Sequence, residues 1–178
     1  MIETLISSKT RIKLLLKFFL NSKNTGYLRH LEGEFGESTN AIRQELNRFE
    51  KAGMLNSAME GNKKIFQANL QHPLFREVNS IVMKYVGLDR IIEFVIKKLG
   101  AVEEVYLTGT FARGLDSDVI DLVMVGDVNQ TYLIELIGKA EHLINRKIRY
   151  LLYTPAEFQN RSDTAASDGW LLLWQKDN

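Results

Sequence analysis

The chain has 178 residues, 45% of them hydrophobic and 25% charged, which is room for one large or two small domains of ordinary globular composition. It contains no cysteine, and this excludes a disulfide framework, a thiol nucleophile and a cysteine-based zinc site. No apolar run is long enough to span a bilayer, and the N-terminus, with Glu3 ahead of Lys9, lacks a signal-peptide pattern; the expected location is cytoplasmic, without a membrane partner. A net charge of +1 conceals an asymmetry. Residues 1–87 carry 13 Lys and Arg against 8 Glu and no Asp, or +5, while the remainder carries 10 against 14, or −4. A basic first half suits a polyanionic partner.

Ser8 or Thr10 is suited to cap a first helix through about Leu20, with Ile12, Leu15, Leu16 and Phe19 as its apolar stripe. Residues 21–26 form a turn cluster, a short helix is expected over 27–35, and Ser38 is a good N-cap for a third helix from Thr39 to Ala52, stopped by Gly53. In that third helix Ile42, Leu46 and Phe49 share one face, and Thr39, Asn40, Arg43, Gln44, Asn47, Arg48 and Lys51 share the other. Two strands, 54–59 and 64–68, follow around a Gly-Asn turn with Lys63 and Lys64 at its tip, as in a β-hairpin. His30, His72 and His142 are isolated, and no metal site is read from them.

Three helices followed by this hairpin resemble the winged-helix DNA-binding family, particularly its ArsR-like bacterial repressors. The resemblance covers roughly the first 70 residues and rests on element order. It implies that the third helix enters the major groove of double-stranded DNA. Arg43 would then be placed for guanine, Asn40 or Gln44 for adenine, and Lys63 and Lys64 for phosphate or the minor groove. The competing reading of the same side chains is an ordinary solvated helix face.

Helices are expected next over 73–86, with Leu74, Val78, Ile81, Val82 and Tyr85 on one side, and over 88–99. The expected boundary lies at Gly87, giving domains 1–87 and 88–178. The apolar stripe before it would either form a homodimer seam or pack against its own domain. Short β-branched runs at 105–107 and 119–125 read as buried strands, joined by Gly109-Thr110-Phe111-Ala112-Arg113-Gly114. A helix at 130–144, a strand at 147–153, a short helix from Thr154 and a polar loop at 161–168 complete the pattern. Residues 170–174 would dock back as a strand or short helix.

The Gly-Thr-Phe-Ala-Arg-Gly turn and the following Ser117-Asp118-Val119-Ile120-Asp121-Leu122 resemble the minimal nucleotidyltransferase family over about residues 88–174. That family carries Gly-Ser, an Ala-Arg-Gly turn and two acids two residues apart. The resemblance implies a mixed-sheet α/β domain, with Gly109, Thr110, Arg113, Asp118 and Asp121 as the nucleotide-binding set. Asp118 and Asp121, however, are three apart, so a regular strand would point them to opposite faces unless a β-bulge at Val119 reset the alternation. Arg149 aligns with a further family acid, and a cation there opposes Mg²⁺. Arg113 would either clamp a phosphate or pair with Asp116 or Asp118.

The sequence thus predicts an α+β protein of two domains, a winged helix-turn-helix followed by a nucleotidyltransferase-like domain. It would be a DNA-binding transcriptional regulator with no catalytic residues and no cofactor, whose second domain senses a nucleotide or other small ligand, or dimerises. The alternatives are an active Mg²⁺-dependent nucleotidyltransferase, with Asp118 and Asp121 converging on the metal, and a protein-interaction module.

Overall fold

In the computed structural model, which describes residues 2–160 and 169–177, the chain divides into two compact units. The first comprises Met1–Tyr85 together with Gly114–Asp116, the second Val86–Arg113 together with Ser117–Asn178. The expected polar loop 161–168 lies outside the described residues. The architecture is α+β: helices with a small antiparallel sheet, then an α/β unit built on a mixed four-stranded sheet.

In the first unit α1, Ile2–Leu5, precedes α2, Lys9–Leu15, which continues as a π-helical segment, Leu16–Leu20. Ser8 Oγ caps α2 by accepting the Arg11 N–H. The expected stripe is broader than periodicity indicated, because every residue from Leu14 to Leu20 is buried. Lys17 is among them, and its ammonium is neutralised by Glu34 at 2.7 Å. The predicted turn cluster contains a strand: β1, Thr25–Gly26, pairs antiparallel with β3. Glycine permits this, since a Cβ at Gly26 would come within 2.9 Å of Leu31.

Helix α3, Leu28–Phe35, ends in a left-handed Gly36, and α4, Thr39–Lys51, starts where Ser38 Oγ accepts the Ala41 N–H. Their apolar faces, Leu31, Phe35, Ile42, Leu46 and Phe49, are buried. Strands β2, Leu55–Glu60, and β3, Lys63–Ala68, form the hairpin, with Gly61 at positive φ in its turn. Helix α5, Phe75–Val86, begins two residues after Pro73, with the Phe75 ring 5.8 Å from that of Phe19. These helices and the β1-β3-β2 sheet are consistent with a winged helix.

The second unit opens with one helical run, α6 Leu88–Ile91, a π-helical segment Ile92–Ile96, and α7 Lys97–Leu99. Strand β4, Val102–Thr108, extends past the expected run at both ends, and residues Gly109–Ala112 wind into a single helical turn, α8. Strand β5, Val119–Gly126, helix α9, Gln130–Ile144, strand β6, Lys147–Tyr153, and helix α10, Pro155–Gln159, follow. The segment left open as strand or helix is a strand, β7, Leu171–Gln175. The sheet order is β6-β5-β4-β7, with β5 and β6 parallel and the other pairs antiparallel.

Alternation divides this sheet into two faces. Ile120, Leu122 and Met124 are buried on one. The other carries two cross-strand rows: Arg149, Asp121 and Thr108, then Leu151, Val123, Tyr106 and Leu172. Phe158 and Trp170 pack on Tyr106, with ring centroids 5.4 and 5.8 Å away. The Tyr106 hydroxyl donates to Glu104 at 2.6 Å; burial, reinforced by that carboxylate, pushes the phenol up to about 12, so it stays a donor.

Candidate functional site

In the first unit α4 turns Asn40, Arg43, Gln44, Asn47 and Arg48 to solvent, while Thr39 is half-buried at its start. Lys63 and Lys64 are exposed on the hairpin. The hairpin is tied to α4 through Glu50, which accepts from Ser57 Oγ at 2.5 Å and Lys64 Nζ at 2.8 Å. The Lys64 hydrogen bond, then that of Ser57, lower the Glu50 pKa, so the tie is ionic at neutral pH. Part of Lys64's charge is therefore spent within the protein. Arg48 is likewise engaged, donating to the buried Glu45 at 2.8 Å, and Arg11 holds the same carboxylate at 2.8 Å.

Between α4, the hairpin and the start of α3 lies a cavity of about 530 Å³. It gathers Arg43, Asn47, Lys63 and Lys64 from the predicted set, and adds Tyr27 and Arg29, which sequence reasoning missed. The Lys63 ammonium lies 4.6 Å from the Tyr27 ring centroid, and the His30 imidazole stacks on the same ring at 5.5 Å. An aromatic and a basic residue side by side at a helix start, Tyr27 and Arg29, form too common a pattern to single out without the cavity. Thr39, Asn40, Gln44 and Arg48 do not line it.

In the second unit Gly109 takes φ +65° at the end of β4, and a Cβ there would collide with the Asp121 carboxylate. Thr108 and Asp121 are cross-strand partners. Thr110 is half-buried within α8, and Arg113 at its C-terminus is exposed. Asp118 lies in a bend one residue before β5, and its carbonyl accepts the Lys147 N–H at 2.9 Å. The Arg146 guanidinium donates to the neighbouring Ser117 carbonyl and lies 5.2 Å from the Phe111 ring centroid, fixing the entry to the strand.

The pairing of β5 with β6 runs from Val119 to Val125 without a register shift, so no bulge at Val119 resets the alternation between Asp118 and Asp121. Arg149 stands directly across from Asp121 in that register, and its Nε donates to Asp121 Oδ1 at 2.5 Å. The Asp121 hydrogen bond, then its charge, raise the Arg149 pKa. Among the described residues no three His, Asp or Glu are grouped to hold a metal ion. A divalent cation needs several oxygen donors; here the inward carboxylate is already matched to a guanidinium. The donor set does not fit Mg²⁺.

Residues 88–171 match the nucleotidyltransferase domain family. The match spans the nucleotidyltransferase turn at Gly109, both aspartates and Arg149, and it leaves the first unit outside. No curated protein matches the chain significantly. Among solved structures the chain is similar to AF1382 from Archaeoglobus fulgidus, at 18% identity and TM-score 0.38, covering 46% of this chain and 93% of that one. A protein described as a candidate nucleotidyltransferase from Sulfolobus solfataricus matches at 23% identity and TM-score 0.38, covering 56% and 86% respectively. TrmBL2, described as an archaeal chromatin protein with a novel mode of DNA binding, matches at 13% identity and TM-score 0.25, covering 82% and 67%. Among the described residues no helix is long and apolar enough to cross a membrane.

Proposed function

We propose that the protein is a DNA-binding transcriptional regulator whose nucleotidyltransferase domain has lost its metal chemistry. The observation that carries this reading is the cationic surface formed by α4 and the hairpin, where Arg29, Arg43, Lys63 and Lys64 line one cavity beside exposed Asn47. Such a surface supplies the counterion release that drives binding to duplex DNA, and α4 offers Asn40, Arg43 and Gln44 to base edges. Glu50 keeps the hairpin in a set position against α4, so groove and backbone contacts would be made in one register.

The second unit serves on this reading as a nucleotide-sensing or dimerising module. Pairing of Asp121 with Arg149 is the argument against the alternative of an active Mg²⁺-dependent enzyme. Sensing through Gly109, Thr110 and Arg113 requires a ligand to bind two arrangements of the protein unequally, since only differential affinity shifts an equilibrium.

Fluorescence anisotropy with a randomised set of duplexes, titrated from about 50 to 200 mM salt, tests the reading. Affinity should fall steeply with salt, and Arg43→Ala should cost about 1–3 kcal/mol on the preferred sequence while relaxing preference at one position. Absence of duplex binding at the lowest salt would overturn it and favour a protein-interaction module.

A further inference from the structure

The cavity that gathers Arg29, Arg43, Lys63 and Lys64 has more to it than the positive charge on which duplex binding draws. Its volume, about 530 Å³, lies in the range of small-molecule sites and far exceeds what a lone phosphate contact needs. Its floor is apolar, made by Leu28, Leu46 and Phe66, of which Leu46 and Phe66 are core residues. Two carboxamides, Asn47 from α4 and Asn62 from the hairpin turn, stand at its wall; each offers a donor and an acceptor. Arg29, Arg43 and Lys63 supply positive charge around them.

Tyr27 adds a stacking platform. His30 supports its ring from one side, and the Lys63 ammonium lies over the ring 4.6 Å from the centroid. A lysine on an exposed hairpin is a mobile occupant of an aromatic face. A planar base can take that place, and the displaced ammonium then remains close enough to meet the base's own phosphate. An aromatic platform, an apolar floor, amide edges and a cationic rim together form the chemistry that holds one nucleotide out of a stack.

We infer that this cavity binds a single unpaired nucleotide, through its base on Tyr27 and its phosphate on Arg29, Arg43 and Lys63. The nucleotide has two sources of the same chemistry, an unpaired residue of a nucleic-acid strand or a free nucleoside monophosphate. For the first source the inference rests on the proposed DNA-binding role of α4 and the hairpin; the second is independent of it.

The test compares a blunt duplex with the same duplex carrying one unpaired 5′-nucleotide, by anisotropy at fixed salt, and then adds AMP as competitor. The overhang is expected to tighten binding about tenfold. Tyr27→Ala should abolish that difference and Tyr27→Phe should keep it; Asn47→Ala, at an exposed helical position, gives an independent variant in which the difference shrinks. AMP binding that is lost in Tyr27→Ala, while blunt and overhang duplexes bind equally or not at all, identifies the free nucleotide as the ligand; displacement of the overhang duplex alone identifies the strand as a source. AMP binding that Tyr27→Ala leaves unchanged lies outside the cavity and overturns the inference. Equal binding of blunt and overhang duplexes, with no binding of AMP, overturns this inference and leaves duplex recognition intact. Failure of both duplexes and of AMP overturns both.

Discussion

Arg149 shows how one side chain redirects a site. Its guanidinium stands on the strand beside Asp121 and satisfies the carboxylate that a metal would otherwise need. Charge, not backbone geometry, is then the first obstacle to a cation. Arg149→Asp would put a second carboxylate in register with Asp121, and like charges side by side recruit a divalent ion. Weak Mn²⁺ binding, read by calorimetry or electron paramagnetic resonance, is expected in this variant and not in the parent protein. If the variant binds no Mn²⁺, the offset of Asp118 before β5, rather than Arg149, is the controlling defect. This part of the site was legible in the sequence: the spacing of Asp118 and Asp121 and the cation at position 149 were all visible. The contact of Asp121 with Gly109 was not, because it depends on the register of β4 against β5.

Among the elements α4 is the best anticipated, since its cap, its apolar face and its end all follow from local signals. Its electrostatic support is less visible. Glu45 is buried, yet its pKa is lowered: burial acts to raise it, and the hydrogen bonds and charges of Arg11 and Arg48 outweigh burial. A carboxylate depressed by folding contributes stability above its unfolded pKa, and that contribution is lost as pH falls through the folded value. Stability measured by urea unfolding should therefore decline below about pH 4.5, the ordinary glutamate value. Glu45→Gln should flatten that decline relative to the parent and lower stability at neutral pH. Strand β1 and the helical turn α8 escaped sequence reading for a related reason. Two residues and four residues are too short for periodicity to register, and only pairing partners elsewhere in the chain define them.

At the scale of the whole molecule, α5 bears on how many copies act together. Leu74, just before α5, and Ile81, seven residues on, remain 55% and 49% exposed, with half-buried Val78 and Tyr85 in the same stripe, while Val82 is buried. That spacing supports a homodimer seam, and a two-fold protein would match a palindromic DNA site. Ile81→Glu should shift the mass measured by light scattering from dimer to monomer, and should weaken binding to a palindromic duplex more than to a half-site. An unchanged mass would assign the stripe to packing within one chain.

The chain leaves the first unit after Tyr85, re-enters it for Gly114–Asp116 and leaves again. Gly114 belongs there by shape, since at φ +75° a Cβ would come within 2.5 Å of the Lys17 Cα, and Asp116 accepts a hydrogen bond from the Tyr85 hydroxyl at 3.2 Å. During synthesis the basic unit is therefore still missing three of its own residues when its last helix emerges. It is completed only after β4 and α8 of the second unit have been translated. No single cut yields it whole. A fragment ending at Tyr85 would carry the cationic surface but lack the returning segment, so the basic half cannot be complete before the half that follows it has begun.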